Sequence, residues 1–569
     1  MLGPLLMVLE VSMDLLQPRL MQHIIDDGIA RLDHNLILQT SLLMILLAFF
    51  GVFGGFGGGV FAVRASQRFG ADLRSRLYRK VQALPFSYLD KLGTGELITR
   101  LTNDVTQVQD ALFMCLHLLV RAPLIIVGSV IMSVVTSPKL AMMFLVLTPV
   151  VSIVLWLVIK KTYATFGVVQ QRVDQLNTVM LENFAGVRVV KAFVRDRYEN
   201  KRFDRRNQQL KGEMIIALRV AALTMPSTML VLNIGIVCVI WFGGLQVAAG
   251  TLKTGQVIAF INYIMYLIQS VMLVGMLITR VSRAAASASR IQEVLKADPE
   301  QRDTDQVGAG NLFDPQAMQG SIVFDNVSFD YNESEHERPV LNGISFKAEP
   351  NQVVAILGAT GAGKSSLVNL IPRFYDVSAG SIRIDGQDVK NYPRHFLRTH
   401  IGIAMQEVVL FSGSIRDNIC YGKSDASMAE IISAAKAAQA YDFITKLPDG
   451  FDTMLGQRGV NLSGGQKQRL AIARALITQP KILILDDSTS AVDVETEARL
   501  QEALSELMKD RTSIIIAQRI STVLSADKII VLDNGRVAAE GTHRELLGSS
   551  PIYDEIFASQ LGNGVLADV

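Results

Sequence analysis

Long apolar runs crowd the first 295 residues of this 569-residue chain and restrict what that half can form. A helix needs about 20 mainly apolar residues to cross a bilayer. Several runs contain Gly, Pro or polar residues, which suit helix packing or a cavity lining better than lipid contact. The pattern predicts a transmembrane domain of six helices over residues 1–295. The six runs are 2–25, 36–63, 116–135, 140–159, 220–248 and 257–278.

The connections between these runs alternate in length and charge. Two long connections, after the second and the fourth run, carry most of the basic residues. The positive-inside tendency puts both in the cytoplasm, so we expect both chain ends there as well. Their helix-like spacing predicts that membrane helices continue beyond the bilayer and turn back through short elements. We expect these elements near 88–96, where Gly93 and Gly95 break the pattern, and near 195–201.

Two acidic residues interrupt the first apolar run. Glu10 and Asp14 are four residues apart and share one face of a helix. Ionisable groups inside a membrane span are functional candidates, so the pair could line a polar cavity or bind a cationic substrate. Alternatively, the pair could bind Arg19 or Arg121 and stabilise the bundle.

The second half of the chain has the pattern of a soluble domain. Residues 296–319 are polar and contain two prolines and two glycines, which predicts a linker. Residues 320–560 alternate short apolar runs with helical stretches, which predicts an α/β nucleotide-binding domain, and 561–569 form a tail. Buried, mostly parallel strands are expected at 353–357, 482–485, 513–517 and 529–532, and helices at 427–440, 467–476 and 495–508.

Charge and cysteine content exclude some classes of function. The net charge of +2 gives no reason to expect a nucleic-acid partner. The cysteines Cys115, Cys238 and Cys420 lie far apart and form no C-x-x-C pair, so neither a disulfide framework nor a zinc site is predicted.

A glycine-rich loop follows the predicted strand 353–357 and opens a helix. Its glycines allow backbone amides to cradle phosphate oxygens. Lys364 is expected to neutralise the β- and γ-phosphates, and Ser365 to bind Mg²⁺ opposite Asp486, which ends another strand. ATP and Mg²⁺ are therefore the predicted cofactors. The loop comprises Gly358, Ala359, Thr360, Gly361, Ala362, Gly363, Lys364 and Ser365, and Ser366 extends its phosphate contacts.

A second helix N-terminus suited to binding an anion lies further along the chain. Ser463, Gly464, Gly465 and Gln466 precede the predicted helix 467–476. A Ser-Gly-Gly turn can simply cap a helix. Two phosphate-binding ends in one domain make sense if ATP is held between two domains, each giving its loop to one nucleotide and its Ser-Gly-Gly turn to the other.

Together these residues resemble the ATP-binding cassette (ABC) transporters, specifically half-size exporters. The resemblance implies a six-helix transmembrane domain of the type I ABC exporter fold fused to an α/β P-loop cassette. It implies that Tyr331 stacks on adenine and that Gln406 links Mg²⁺ and water to the membrane domain. It also implies that Ser463–Gln466 form the family signature and that Asp493 belongs to a loop communicating between sites.

The chain departs from that family at the hydrolytic positions. Asp487 stands where the family has a glutamate that orients or deprotonates the attacking water, and Gln518 stands where it has a histidine that contacts the γ-phosphate. The amide of Gln518 can hydrogen-bond but carries no positive charge. Together Asp487 and Gln518 resemble the degenerate-site subunit of heterodimeric exporters, which predicts firm ATP binding and slow hydrolysis at this chain's own site.

The resemblance also predicts partners and location. We expect a second half-transporter chain, with a heterodimer preferred over a homodimer, in contact with membrane lipid. The substrate is expected to be a hydrophobic or amphipathic small molecule, a lipid or a peptide. A nucleotide-gated regulatory subunit without transport is the alternative from another class. The expected location is a bacterial inner membrane, with the cassette in the cytoplasm.

Overall fold

The chain divides into two structural units, and a short segment, Ala83–Leu92, interrupts the first unit in sequence and belongs to the second. A computed structural model describes residues 2–297, 318–331, 339–487, 502–503, 508, 510–517 and 520–561. The first unit comprises Met1–Gln82 and Gly93–Ala297, and the second comprises Ala83–Leu92 and Asp298–Val569.

The first unit is built from long helices. Within the described residues, five helical stretches are long and apolar enough to cross a membrane, and a further helix, Leu2–His23, lies at the start of the chain. The helices are α1 (Leu2–His23), α2 (His34–Gln82), α3 (Phe86–Thr99), α4 (Val105–Thr136), α5 (Pro138–Ala185), α6 (Val187–Ala192), α7 (Asp196–Ala222), α8 (Thr224–Ala248) and α9 (Thr254–Lys296).

Several of these helices are far longer than a membrane is thick. α2 has 49 residues and α5 has 48. At 1.5 Å per residue each is about 70 Å long, more than twice the ~30 Å of a hydrocarbon core. Helices of this length are long enough to extend beyond a bilayer, as the sequence predicts.

The first turn-back element is found at the predicted place, but the second is not. α3 is broken at Gly93, whose φ of +70° suits glycine. The second short element is α6, upstream of the predicted 195–201, which instead begins the long helix α7. The polar stretch forms a helix because Asp196 and Glu199 lie in the first turn of α7, where acidic side chains favour a helix N-terminus.

The acidic pair in α1 binds an arginine of α4. Arg121 Nη2 lies 3.2 Å from Glu10 Oε1 and 3.4 Å from Asp14 Oδ2. α2 lies close to this pair at Gly55, where an added Cβ would lie only 2.9 Å from Glu10 Cδ. Of the two alternatives, pairing with Arg121 is what the structure shows.

The second unit contains a parallel sheet with an antiparallel sheet beside it. The larger sheet has the order β12-β11-β3-β10-β9-β6, and only β12 runs antiparallel to its neighbour. The four parallel strands predicted from the sequence are confirmed as β3, β9, β10 and β11. The strands are β1 (Ile322–Phe329), β2 (Leu341–Ala348), β3 (Val353–Gly358), β4 (Ala379–Ile384), β5 (Gln387–Asp388), β6 (Ile401–Ala404), β7 (Gly413–Ser414), β8 (Met454–Leu455), β9 (Ile482–Asp486), β10 (Thr512–Ile516), β11 (Lys528–Asp533) and β12 (Arg536–Gly541).

Helices cover this sheet and complete two apolar cores. One core includes the buried Leu470 of the second unit, and the other includes Leu367. Of the predicted helix 495–508, only residues 502, 503 and 508 lie within the described part, and these are helical. The helices are α10 (Lys364–Leu370), α11 (Arg394–Thr399), α12 (Ile415–Ile419), α13 (Met428–Ala437), α14 (Tyr441–Thr445), α15 (Gly464–Leu476), α16 (Ile520–Val523), α17 (His543–Leu546) and α18 (Pro551–Leu561).

Parallel pairing brings the ends of three strands to one edge of the sheet. Ile356 of β3 pairs with Ile516 of β10, and Ile516 pairs with Asp486 of β9. Because parallel strands end on the same side, the loop after β3 and the carboxylates at the end of β9 meet there. Ligands of open α/β sheets bind at this carboxyl edge.

Candidate functional site

The loop between β3 and α10 depends on glycine at two positions. Gly361 has φ +85° and Gly363 has φ +96°, a region that other residues adopt with strain. A Cβ at Gly363 would lie 2.7 Å from Leu341 Cδ2, whereas a Cβ at Gly361 would meet nothing within 4 Å. The loop is therefore packed against the domain on one side and open on the other.

Lys364 begins α10 and points back into this loop. Its Nζ donates to the carbonyl oxygens of Gly358 at 2.8 Å and Ala359 at 2.9 Å. Burial lowers the pKa of Lys364, and the nearby carboxylates of Asp486 and Asp487 oppose that shift. A buried ammonium at the mouth of an amide-lined loop is suited to an anion such as a phosphate.

Asp486 ends β9 directly opposite the loop. Ser365 Oγ donates to Asp486 Oδ1 at 3.3 Å. Burial raises the pKa of Asp486, and the Ser365 hydrogen bond and the Lys364 charge act in the opposite direction. A carboxylate that is buried in this way gains from a cation close by.

The donor set around Asp486 fits Mg²⁺ carried by a nucleotide. Within the described ranges, no group of three or more His, Cys, Asp or Glu residues could hold a metal by itself. Magnesium commonly binds one or two protein oxygens and completes its shell with phosphate oxygens and water. The Ser365 hydroxyl and the Asp486 carboxylate are oxygen donors of this kind.

Asp487 follows Asp486 in a strained backbone conformation. Its φ is +46°, and its backbone N–H donates to the Ile516 carbonyl oxygen at 3.1 Å. Gln406 Nε2 donates to Asp487 Oδ2 at 3.4 Å. The structure thus brings together Asp487 and Gln406, two residues predicted to act near the attacking water.

Tyr331 lies beside the loop with an accessible ring. Its side chain is 42% exposed, and its hydroxyl lies 3.0 Å from Ser366 Oγ. The ring meets Phe329 and Tyr375 edge-on, with centroids 4.8 Å and 5.1 Å away. This geometry leaves ring surface for stacking against a base, as the sequence resemblance implies.

A cavity of about 210 Å³ lies at the carboxyl edge of the sheet. Val340 and Ile516 complete its wall and were not singled out from the sequence, because nothing in an isolated apolar residue indicates a ligand. The lining residues are Val340, Thr360, Gly361, Gly363, Lys364, Ser365, Ser366, Gln406, Asp486, Asp487 and Ile516.

Other predicted residues lie away from this cavity. Ser463 caps α15 by accepting from the Gln466 backbone N–H at 3.3 Å, and the Gln466 side chain accepts from Ser463 N–H at 2.9 Å. Ser463 and Gly464 are exposed at the surface, and Gly465 is buried. Asp493 and Gln518 lie outside the described residues.

Sequence reasoning also missed Gln468. Its Nε2 donates to the Asp487 backbone oxygen at 3.5 Å. Its position two residues after Gln466 in α15 gave no signal, since only folding brings α15 beside the end of β9.

Comparison with known proteins gives consistent relationships over the whole chain. Residues 1–271 match the family described as ABC transporter transmembrane region, and residues 341–490 match the family described as ABC transporter. The ABC transporter ATP-binding protein YfiB of Bacillus subtilis is 43% identical over 558 residues, which is 98% of this chain and 96% of that protein. The ATP-dependent lipid A-core flippase of Syntrophus aciditrophicus is 36% identical over 494 residues, covering 87% of this chain and 81% of that protein.

A solved structure shows the same architecture. A bacterial Atm1-family ABC exporter with ATP bound superimposes with a TM-score of 0.82 at 27% identity, covering 99% of this chain and 98% of that chain. The agreement includes both the helical half and the half with sheets.

Proposed function

The chain belongs to the ABC transporter family, and on that premise we propose that it is the degenerate-site half of a heterodimeric exporter. It is a multi-pass membrane protein with a type I ABC exporter fold, and an ATPase of the transporter class. The proposal concerns how the work is divided between this chain and its partner. This chain holds ATP at its own phosphate loop, and hydrolysis takes place mainly at the partner's loop.

The identity and contacts of Asp487 carry this proposal. An aspartate is one methylene shorter than the family's glutamate, so its carboxylate falls about 1 Å short of the same position. The Asp487 carboxylate accepts from Gln406 at 3.4 Å. Losing a positioned general base lowers a rate by about 10²–10⁴. Gln518 adds to this because its neutral amide offers no positive charge to the γ-phosphate.

The ATP-binding residues themselves are intact. Gly361, Gly363, Lys364, Ser365 and Asp486 line one cavity, and Tyr331 lies beside it. ATP binding and ATP hydrolysis therefore depend on different residues at this site. The residues expected to hold Mg²⁺ and ATP are present, whereas the residue expected to activate water has a shorter side chain than the family's glutamate. A self-pair would contain two such slow sites, which favours a different partner.

The exposure of the turn Ser463–Gln466 supports the same division of ATP binding and hydrolysis between the two chains. Ser463 and Gly464 are exposed at the start of α15 and do not line this chain's own cavity. In a sandwich of two cassettes, the intact Ser463–Gln466 turn would close on the ATP at the partner's loop. This chain would thereby complete a competent site that it does not itself possess.

Lipid translocation is the second candidate for the transported cargo. The Syntrophus relative named as a lipid A-core flippase aligns over 87% of this chain. The transporter would have to extract either cargo, a lipid or an amphipathic small molecule, from one leaflet of the membrane or from its interface. Transport of a fluorescent lipid and of a fluorescent amphiphile in the same proteoliposomes separates the two.

The test restores the expected hydrolytic groups. In the purified pair, the double variant Asp487→Glu and Gln518→His is expected to raise ATPase activity attributable to this chain's loop at least tenfold. Asp449→Glu, at an exposed position away from the cavity, adds the same methylene and is expected to change nothing. An unchanged rate in the double variant, with ATP binding retained, would refute the impaired-site proposal.

A further inference from the structure

We propose that the ATP-binding unit has a second small-molecule site, centred on Arg511, which takes a carboxylate carrying a short apolar body. The described residues that form it lie outside the phosphate-loop cavity. The site is therefore independent of how hydrolysis is divided between two chains.

A second cavity of about 310 Å³ lies within this unit and is larger than the cavity at the phosphate loop. Its wall is formed by one side of α13, by the end of α15 and the residues just after it, and by Arg511. Small-molecule sites commonly have volumes of roughly 300–1,000 Å³. Since a water molecule takes up about 30 Å³ of the liquid, the space suits a ligand of about ten non-hydrogen atoms.

This second cavity lies at the opposite end of the parallel sheet from the ATP site. Arg511 directly precedes β10, and Ile516 at the other end of β10 lines the phosphate-loop cavity. At about 3.3 Å per strand residue, the two are separated by roughly 16 Å. Within the described residues the two cavities share no lining residue, so both can be occupied at the same time.

The Arg511 guanidinium brings an uncompensated charge into this wall. Its Nη1 is buried, and no acceptor within the described part of the chain forms a hydrogen bond with it. Burial lowers the pKa of Arg511, and the exposed neighbour Asp510 acts in the opposite direction. A desolvated cation without an acceptor costs stability. A carboxylate in the cavity would offset this charge, and its two oxygens fit the planar fork of a guanidinium.

Glu430 also lines the second cavity, but its carboxylate is already engaged. Oε1 accepts from Lys423 Nζ at 2.6 Å, and Oε2 accepts from the Ser427 N–H at 2.7 Å and from the Ser427 hydroxyl at 2.8 Å. The Lys423 and Ser427 hydrogen bonds lower the pKa of Glu430 to about 2, so the carboxylate stays ionised beside its own counter-ion. The Glu430–Lys423 pair is neutral as a whole, which leaves the charge of Arg511 dominant.

Two neutral polar side chains accompany this charge. Ser433 and Gln479 line the same cavity and are exposed, and within the described ranges neither side chain makes a hydrogen bond. Gln479 has a φ of +49° shortly after α15, where glycine is the usual residue. A hydroxyl and an amide N–H both donate to carboxylate oxygens. The polar part of the wall is therefore rich in donors and selects an acceptor.

The remainder of the wall is apolar. Ala434 of α13 and Leu476 and Ile477 at the end of α15 are buried side chains that line the cavity. Pockets that combine an apolar wall with a few polar groups bind ligands of the same mixed character. Benzoate, which has one carboxylate on one ring, matches both the size and the chemistry and is the ligand for the test.

Ligand-observed NMR on the full-length protein in lipid nanodiscs, with empty nanodiscs as the blank, tests the proposal. Benzoate is expected to bind saturably with a Kd on the order of 0.1–1 mM, as suits a ligand of this size. Saturating Mg-ATP is expected to leave that Kd unchanged. Benzamide lacks the charge and inorganic phosphate lacks the apolar body, so both should bind roughly tenfold more weakly. Absence of saturable benzoate binding, displacement by Mg-ATP, or equal binding of benzamide or phosphate overturns the assignment.

Arg511→Met removes the charge and keeps an apolar stem. It is expected to raise the Kd for benzoate roughly tenfold or more, because a charge-assisted pair is lost, and to leave the Kd for ATP unchanged. Arg511→Lys keeps the charge without the planar fork and should give an intermediate Kd. The matched control is Arg544→Met, at an exposed arginine of α17 that lines neither cavity, and it should bind benzoate as the unmodified protein does.

Thermal melting gives a readout that a structural role for Arg511 would move in the opposite direction. Because the buried Nη1 has no acceptor, Arg511→Met is expected to have a Tm no lower than that of the unmodified protein without benzoate. Benzoate should raise the Tm of the unmodified protein and leave that of the variant unchanged. A lower Tm of Arg511→Met, or undiminished benzoate binding by it, overturns the proposal. Failure of the unmodified protein to bind Mg-ATP would instead overturn the proposed function.

Discussion

Replacing Lys364 by methionine separates nucleotide binding from folding. Lys364 is 9% exposed, and its ammonium lies at the carbonyl oxygens that begin the phosphate loop. Methionine keeps much of the side-chain volume and removes the charge. A bound phosphate would lose its one lysine partner at this loop.

The magnitude follows from the charge and its surroundings. Two unit charges about 4 Å apart at an effective dielectric constant near 20 interact by about 4 kcal/mol. Since about 1.4 kcal/mol corresponds to a factor of ten, ATP affinity is expected to fall by about 10³. At a ligand concentration of about 100 times the original Kd, the unmodified protein gains about 2.7 kcal/mol of stability, and the variant gains less than about 0.1 kcal/mol.

Thermal melting in nanodiscs with and without Mg-ATP measures both quantities. The variant is expected to melt near the unmodified protein without nucleotide and to show no shift with it. Lys446→Met removes an exposed charge outside the cavity and should keep the full nucleotide shift. A variant that retains more than a third of the ATP affinity would refute the reasoning about Lys364.

Three further perturbations follow from the described contacts. Burial raises the pKa of Asp486, so ionisation of its carboxyl lowers the stability of the folded protein as the pH rises through that pKa. Asp486→Asn should therefore have a higher Tm than the unmodified protein at pH 7 without nucleotide, and this difference should shrink on acidification. The variant should also lose the increase in Tm that Mg-ATP causes. Tyr331→Phe keeps the ring and should bind ATP within about threefold, whereas Tyr331→Ala should lose about 1–3 kcal/mol of stacking, measured by displacement of a fluorescent nucleotide. Arg121→Met leaves Glu10 and Asp14 without that guanidinium and should destabilise the helical unit by about 3 kcal/mol. Adding Glu10→Gln should recover part of this stability in a melting assay. An unchanged stability of Arg121→Met would contradict the pairing.

The sequence was sufficient where local pattern decides structure. The strands β3, β9, β10 and β11 are short apolar runs of the kind found in buried parallel sheets, and the structure has them as parallel strands. The glycine spacing of the phosphate loop likewise required a particular backbone, and Gly361 and Gly363 adopt it. The apolar runs of the first half predicted the helices but not their ends, because the residues that extend several of these helices beyond the apolar runs are polar.

The sequence was insufficient where distant residues meet. Tyr375 and Asp90 are 285 positions apart, and neither has a neighbour in the chain that hints at the other. The same holds for Gln468 and the Asp487 backbone, which meet because α15 packs beside the end of β9. Composition also misled at 195–201, since an acidic first turn of a helix and a polar turn look alike.

Vanadate trapping with a photoreactive ATP analogue, on the copurified pair, tests the division of labour most directly. Without vanadate in the cold, both chains should be labelled, because both phosphate loops hold nucleotide. After turnover with vanadate, the trapped label should be found on the partner chain at least tenfold over this one, because only the partner's loop completes hydrolysis. Equal trapping on this chain, or full activity of this chain paired with itself, would contradict the assignment of Asp487 and Gln518 to a slow site.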